Sequence, residues 1–425
     1  MLLYHVTIST SESGDVDERV VYIEDLEKRK QVYGICGECK KPGTGKNWCR
    51  PCNAKRFENN FKNWTSGNKI IDEFIQQSQL NAVYYKKCLE WIPFEKFQNI
   101  AYIAEGGFGK IYSAEWPEGF IDHWDIKNQK SHRNKWRKYA LKSLRNSSNI
   151  SSDFLNEIKS HLQIHLVDII QCHGITQDPN TRDYMMILHY CNNGNLRNFL
   201  NISKNYINYK SKINKLRQIA GGLLDIHNAG KVHKDFHSGN ILYSRATPYI
   251  SDLGMCQPAN KEQTVKEEGI YGVLPFMAPE ILRGHQYTKA ADIYSFGIMM
   301  NEPTTKELYL ILTKWDDEIK NIENNYDVYV KNCQNSEIYS QVEECDKIGE
   351  RKFENRLSKD NHKNIQTHSQ AIYTSRLLNF KNLPKTVNSR DLSVIQINSV
   401  SECLDVQLSE LELNEICQDD ESNTE

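Results

Sequence analysis

No apolar run in this chain approaches the length of a membrane-spanning helix, which needs about 20 consecutive residues. There is no excess of charge of either sign: the formal net charge is −2, so the overall balance gives no reason to expect nucleic-acid binding. The opening residues Met1-Leu2-Leu3-Tyr4-His5 lack a basic start and meet Thr7, Ser9 and Thr10 too soon for a secretory signal. These absences lead us to expect an intracellular, cytoplasmic chain whose 12 cysteines are thiols or metal ligands rather than disulfides. What is present is ordinary: 425 residues, 39% hydrophobic and 25% charged, enough for two or three domains with a sizeable core.

The first chemistry in the chain is in those cysteines. Cys36-Gly37-Glu38-Cys39 is followed after a short turn-rich stretch by Cys49-Arg50-Pro51-Cys52. Thiolate pairs two residues apart form knuckles that together close a tetrahedral Zn²⁺ site, and four thiolates leave no open position, so the site is expected to be structural. The alternatives are free cysteine pairs or a redox C-x-x-C. Before it, residues 1–30 read as an acidic, loosely ordered arm. The knuckle is assigned to 33–55 and a helical linker to 56–98, with one stripe at Phe57, Phe61 and Trp64 and a second at Ile70, Ile71, Phe74 and Ile75.

Farther on, Val232-His233-Lys234-Asp235-Phe236-His237-Ser238-Gly239-Asn240-Ile241-Leu242 places a potential proton acceptor, Asp235, ahead of an amide, Asn240, between apolar anchors. Ser251-Asp252-Leu253-Gly254 adds a second carboxylate beside a glycine. A base plus carboxylate and amide ligands is equipment for handling Mg²⁺-bound phosphate. Upstream, Ala104-Glu105-Gly106-Gly107-Phe108-Gly109-Lys110-Ile111 sets glycines at a hairpin tip, where backbone N–H groups can approach phosphates; alone it could equally be a tight turn. Tyr139-Ala140-Leu141-Lys142-Ser143-Leu144 reads as a strand with one inward lysine, and the helix through Glu157 offers it a partner. The basic stretch 127–138 reads as a solvated loop or a docking patch.

Taken in order, these motifs resemble the protein kinase superfamily, nearest its tyrosine-kinase-like branch. The layout of Cys₄ knuckle, kinase and polar tail is similar to an expanded fungal kinase family. The resemblance implies an α+β bilobal fold, with a sheet-rich N-lobe over a helical C-lobe and ATP in the cleft, across 99–318. It implies that Lys142 holds the α- and β-phosphates under the control of Glu157, and that Asn240 and Asp252 hold Mg²⁺. Asp235 would accept the proton of the substrate hydroxyl. The nucleotide would be bounded by Ala104, Gly106, Gly107, Gly109 and Ile111 above, Ala140 and Leu242 at the walls, and the backbone of His189 and Cys191 at the adenine edge. Leu188 would be the gatekeeper and Asp292 would tie down the catalytic loop. Ala104 departs from the usual first glycine, Lys234 from the usual arginine, and His237 stands where serine/threonine kinases carry lysine, which leaves the hydroxyl class open.

The pattern breaks at Met300-Asn301-Glu302-Pro303, where a stretch resembling the family's final helix, here Pro303 to Trp315, follows almost directly on the buried one. Several C-lobe helices are thus expected to be missing, and Glu280 faces Glu302 instead of its usual arginine. Thr264 and Tyr271 are candidate phosphorylation sites, and 319–425 reads as a polar, largely disordered tail that acts at most in docking. Three readings follow: an ATP- and Mg²⁺-dependent protein kinase acting in signalling on Ser/Thr or Tyr hydroxyls, a pseudokinase-like scaffold, or a binding module centred on the Cys₄ knuckle. Retention of Lys142, Glu157, Asp235, Asn240 and Asp252 favours the first.

Overall fold

The computed structural model describes residues 6–8, 20–106, 109–144, 150–164, 168–202, 207–259, 270–298, 344–348, 350–351 and 375–378. Strands β1 (Val6–Ile8) and β2 (Val20–Tyr22) pair in parallel ahead of helix α1 (Leu26–Tyr33). Helix α2 (Arg50–Asn60) begins between the second pair of cysteines, with Pro51 in its first turn, where a missing N–H costs nothing. It therefore starts earlier than the aromatic spacing suggests, and Phe57 packs on Trp48 of the knuckle, their ring centroids 6.3 Å apart. Helix α3 (Lys69–Asn81) is capped by Asn68, which accepts the N–H of Ile70. Ile71 and Ile75, one turn apart, are fully buried, whereas Ile70 of the same expected stripe is 55% exposed.

The N-lobe is one six-stranded sheet in the order β3-β9-β10-β8-β5-β4. Its strands are β3 (Glu90–Trp91), β4 (Gln98–Gly106), β5 (Gly109–Glu115), β8 (Tyr139–Leu144), β9 (Cys172–Gln177) and β10 (Tyr184–His189). The expected linker is thus part of this lobe: β3 pairs in parallel with β9, and Ile71, Ile75 and Leu89 share an apolar cluster with Phe154 and Ile158. Those last two lie on helix α4 (Ser152–Gln163), whose start is capped by the Ser151 hydroxyl accepting from the Phe154 N–H.

The basic stretch 127–138 is not a plain loop. Strands β6 (Phe120–Asp125) and β7 (Lys130–Asn134) form an antiparallel hairpin. Its Arg133 binds Glu90 at 2.8 Å, and Arg56 of α2 lies 4.3 Å over the Trp124 ring. Phe120 and Trp136 pack with Trp116 and Tyr139, so aromatic residues between the charges hold the segment down.

The C-lobe is built around helix α6 (Tyr209–Asn228), preceded by α5 (Leu196–Ile202). Ile213, Ile219, Ala220, Leu223 and Ile226 face Phe236, Ile241, Ile250 and Phe296. Gly222 permits this contact: a Cβ there would come within 2.9 Å of the Ile250 side chain. Three short ladders follow: β11 (Lys231–Val232) with β14 (Gln257–Pro258), β12 (Ile241–Ser244) with β13 (Thr247–Ile250), and β15 (Ile270–Gly272) with β16 (Arg376–Leu378). The expected buried helix is present as Lys289–Gly297.

The proposed closing helix from Pro303, the Glu302 contact, Thr264 and Gly107 all lie outside the described residues. Within the segment read as a solvated tail, Arg376–Leu378 forms a strand because Leu378 is buried among Met277, Ala278, Ile281 and Tyr287. No helix among the described residues is long and apolar enough to cross a membrane.

Candidate active site

Strand β8 carries Lys142 inward beneath Ile111 of β5, its register partner. Its ammonium meets two carboxylates at once, Glu157 Oε1 at 2.7 Å and Asp252 Oδ1 at 2.8 Å. Burial works against all three charges. The two carboxylates outweigh that burial and hold the ammonium of Lys142 above the ordinary lysine range. Burial likewise favours protonation of Asp252, yet Lys142 keeps it below the usual carboxylate range. For Glu157 burial prevails, reinforced by Asp252, and pushes it upward against the pull of Lys142.

Asp252 reaches this position at a backbone cost. Its φ of 59° and ψ of 72° lie in the left-handed region, where a residue with a side chain is strained, though aspartate tolerates it better than most. Two residues on, Gly254 leaves room for the carboxylate of α4: a Cβ would stand 3.1 Å from Glu157 Oε2. The glycine beside the second carboxylate therefore accommodates Glu157 as well as the turn.

The loop after β11 is anchored from below. Asp292, fully buried, accepts the N–H of His233 at 2.7 Å, the N–H of Lys234 at 3.0 Å and a bond with His227 Nε2 at 3.0 Å. This holds Lys234 at a φ of 70°. His233 in turn bridges the Asp235 N–H, 3.3 Å away, and the Ser251 carbonyl, 3.1 Å away, so both catalytic segments are fastened together. Lys234 directs its ammonium to Gln257 Oε1 at 3.2 Å.

On this frame, Asn240 Nδ2 donates to the Asp235 carbonyl at 2.8 Å and to Asp235 Oδ2 at 3.1 Å. Asn240 Oδ1 is consequently turned away from Asp235. The Gly239 N–H donates to His237 Nδ1 at 3.0 Å, which places the imidazole proton on Nε2. That Nε2 lies 3.6 Å from Asp235 Oδ1. The same Oδ1 accepts the hydroxyl of Ser375, whose oxygen is 3.5 Å from His237 Nε2. Burial would raise the Asp235 pKa, but His237 and the Ser375 hydroxyl outweigh it and hold the carboxyl below its usual range. Asp235 is thus an ionised, oriented acceptor at neutral pH.

The remaining expected residues sit around the cleft. Ala104 pairs with Ile111, and Gly106 with Gly109, at the end of the β4–β5 hairpin. Ala140 and Leu242 pack on the cluster that includes Leu188 and Cys191. His189 packs against Trp136 with centroids 4.0 Å apart, and burial lowers its pKa to about 4, so it is neutral. Cys191 is a buried thiol pushed up to about 12 by burial.

Two contributors were not read from the sequence. Lys87 donates to the carbonyls of His161, at 3.1 Å, and Ile164 at the end of α4. Neither it nor Ser375 stands in a recognisable motif. The only sequence signal for Ser375 is the short apolar run that follows it.

The four knuckle cysteines converge separately, their sulfurs all within 4.8 Å of one another. Cys39 and Cys49 are 3.5 Å apart and Cys36 and Cys52 are 3.9 Å apart, far beyond a disulfide bond. A tetrahedron with Zn–S bonds of about 2.3 Å has edges of about 3.8 Å, so the donor set fits that ion.

A family model described as protein tyrosine and serine/threonine kinase matches residues 97–358. Among curated relatives, the chain is 26% identical over 219 residues to the cysteine-rich receptor-like protein kinase 1 of Arabidopsis thaliana, covering 50% of this chain and 32% of the relative. It is 27% identical over 216 residues to a probable serine/threonine-protein kinase of Dictyostelium discoideum, covering 50% of this chain and 22% of that one. The match to the RGS domain-containing serine/threonine-protein kinase A of the same organism is 26% over 211 residues, with 48% and 17% covered. The matched region spans a third or less of each relative's length.

Proposed function

Since the chain belongs to the protein tyrosine and serine/threonine kinase family, we propose that it transfers the γ-phosphate of ATP to serine or threonine hydroxyls of proteins in intracellular signalling. The observation that carries this reading is Lys142 held simultaneously by Glu157 and Asp252. A buried lysine fixed between two carboxylates needs no further stabilisation in the folded protein. Its position suits a group that neutralises phosphate charge rather than one that merely packs.

In this reading Lys142 binds the α- and β-phosphates, and Glu157 keeps its ammonium from following them. Asn240 Oδ1 and the Asp252 carboxylate are the oxygen donors that would hold Mg²⁺, a cation that takes oxygen ligands. Bound Mg²⁺ would neutralise charge on the phosphates during transfer. Asp235 orients the incoming hydroxyl and receives its proton, while the leaving nucleoside diphosphate takes the electrons of the broken P–O bond. Ala104, Gly106, Gly107, Gly109 and Ile111 cover the nucleotide, Ala140 and Leu242 flank its base, and the His189 carbonyl and Cys191 N–H read its edge. The serine/threonine preference is supported by the descriptions of two of the relatives.

Cys36, Cys39, Cys49 and Cys52 would hold a structural Zn²⁺. In chain order the parts are an arm at 1–30, the knuckle at 33–55, the segment 56–98 that completes the N-lobe through β3 and α3, the rest of the kinase domain from 99 to 318 and a tail at 319–425. Protein substrates are its partners, and described cysteines that form no disulfide among themselves suit a reducing, cytoplasmic setting. The test is Mg·ATP-dependent phosphate incorporation into a general acceptor protein. We expect incorporation by the purified chain and none by Asp235→Asn. A folded, ATP-binding protein that transfers nothing would overturn the reading in favour of a scaffold.

A further inference from the structure

Strand β16 is held at the active site by three separate contacts. It pairs antiparallel with β15 of the activation segment, Arg376 opposite Gly272 and Leu378 opposite Ile270. Leu378 is buried against Met277, Ala278, Ile281 and Tyr287. Ser375, one residue before the strand, gives its hydroxyl to Asp235 Oδ1. The ladder fixes the distance of the backbone from the loop, the apolar anchor fixes its register, and the hydroxyl then falls on a carboxylate that is only 4% exposed.

Resting on the phosphotransfer reading, we propose that Ser375 is an intramolecular phosphoacceptor of this chain, with β16 occupying the groove where acceptor peptides lie. The step balances with a nucleoside triphosphate as donor. Asp235 Oδ1 takes the hydroxyl proton, and a lone pair of Ser375 Oγ forms the new O–P bond to the γ-phosphorus. The bond from that phosphorus to its bridging oxygen breaks, and its electrons leave on the nucleoside diphosphate. The product carries a charge of about −1.5 to −2 beside Asp235 and no longer has a proton to donate, so like-charge repulsion drives the strand out and frees the groove.

The same geometry defines the class of hydroxyl. Serine and threonine place their oxygen about 2.4 Å from Cα, whereas the phenolic oxygen of tyrosine lies about 6.5 Å away. A backbone already paired to β15 stands one short side chain from Asp235, too close for a tyrosine. A tail tethered to its own domain also acts at an effective concentration of order millimolar, so intramolecular transfer outruns transfer between molecules at assay concentrations.

The experiment uses the full chain, first stripped of phosphate by a phosphatase that is then removed. It is incubated with Mg·ATP and dephosphorylated casein, and phosphate is located by peptide mass spectrometry. We expect modification of Ser375 with a rate constant unchanged across about tenfold dilution of the protein, as an intramolecular step requires. Leu378→Asp, which unseats the strand but keeps the hydroxyl, is expected to slow labelling of Ser375 by about tenfold or more while casein labelling is kept or increased. Labelled casein with Ser375 unmodified would overturn the inference and leave the kinase reading intact. So would a Ser375 rate constant that rises in proportion to protein concentration. Absence of label on both casein and Ser375 would overturn the kinase reading, and this inference with it.

Discussion

Lys87 places its side-chain nitrogen 3.1 Å from the carbonyl oxygen of His161, at the end of the helix that carries Glu157. The residue that closes this helix thus comes from a segment that precedes the glycine-rich hairpin. Burial, aided by neighbouring Lys86, brings the Lys87 pKa down to about 7. A neutral amine retains two hydrogens, enough for both carbonyls it meets. In the unfolded chain a lysine keeps its proton to about pH 10, so between about 7 and 10 the unfolded state binds more protons than the folded state. Stability is therefore expected to rise with pH across that window and to be lost as pH falls through about 7, by on the order of a few kcal/mol. Denaturant unfolding of wild type and Lys87→Met at a series of pH values checks this; the variant should lose the slope.

Glu157→Gln removes one of the two carboxylates on Lys142 and leaves Asp252 as its only ionic partner among the described residues. Lys142 should then be drawn toward Asp252 and away from the phosphates. Phosphate transfer is expected to fall by about 10²-fold with the fold retained. Initial rates over a range of ATP concentrations, with a melting curve for each protein, would reveal the change.

Asp292→Asn keeps the volume of a buried side chain but replaces one acceptor oxygen with an NH₂ group. All three of its partners, His227, His233 and Lys234, present nitrogen to it. At least one buried donor is left facing another donor, at a cost of about 3 kcal/mol. The midpoint of urea unfolding should shift down accordingly, and transfer should be lost together with the shape of the catalytic loop.

Metal removal offers a separate check on the knuckle. The purified chain is expected to carry about one zinc ion, and Cys39→Ser to carry less. A strong chelator should lower the melting temperature of the wild type, because binding energy at such a site is folding energy. Elemental analysis together with thermal unfolding measures both quantities.

Replacing the acceptor itself tests the depth of the groove. Ser375→Thr should keep its modification, since the hydroxyl stays at the same distance from Cα. Ser375→Tyr should lose it by about tenfold or more, because the longer side chain cannot enter over the paired backbone. Peptide mass spectrometry of each variant after incubation with Mg·ATP distinguishes the two outcomes.

Much of the site was legible because the chemistry demands fixed residue types at fixed spacings. Strand β8 has the bounds read from the sequence, and Asp292 anchors the loop as expected. Lys142 meets Glu157 and Asp252 across long stretches of chain. Other features depended on contacts that no local pattern encodes. The β6–β7 hairpin was hidden by its basic residues, since the aromatic groups that hold it down are spaced irregularly. Segment 56–98 read as a linker because an amphipathic stripe reports that a helix is buried but not against what. Strand β16 is only three residues long and finds its partner more than a hundred residues away, so neither its length nor its composition announces it.

The apolar face of α4 is already shared with α3 and Leu89, and its last carbonyls are already met by Lys87. A helix wedged on its flank and clamped at its end has little freedom to swing as a lever. The mechanical connection runs onward, since Trp48 of the knuckle donates to the Ala82 carbonyl just beyond α3, at 2.7 Å. Loss of order among four sulfurs would therefore be felt as slack in the carboxylate that grips Lys142. The throttle on this active site sits inside the same polypeptide, in a brace at one side and a plug at the other.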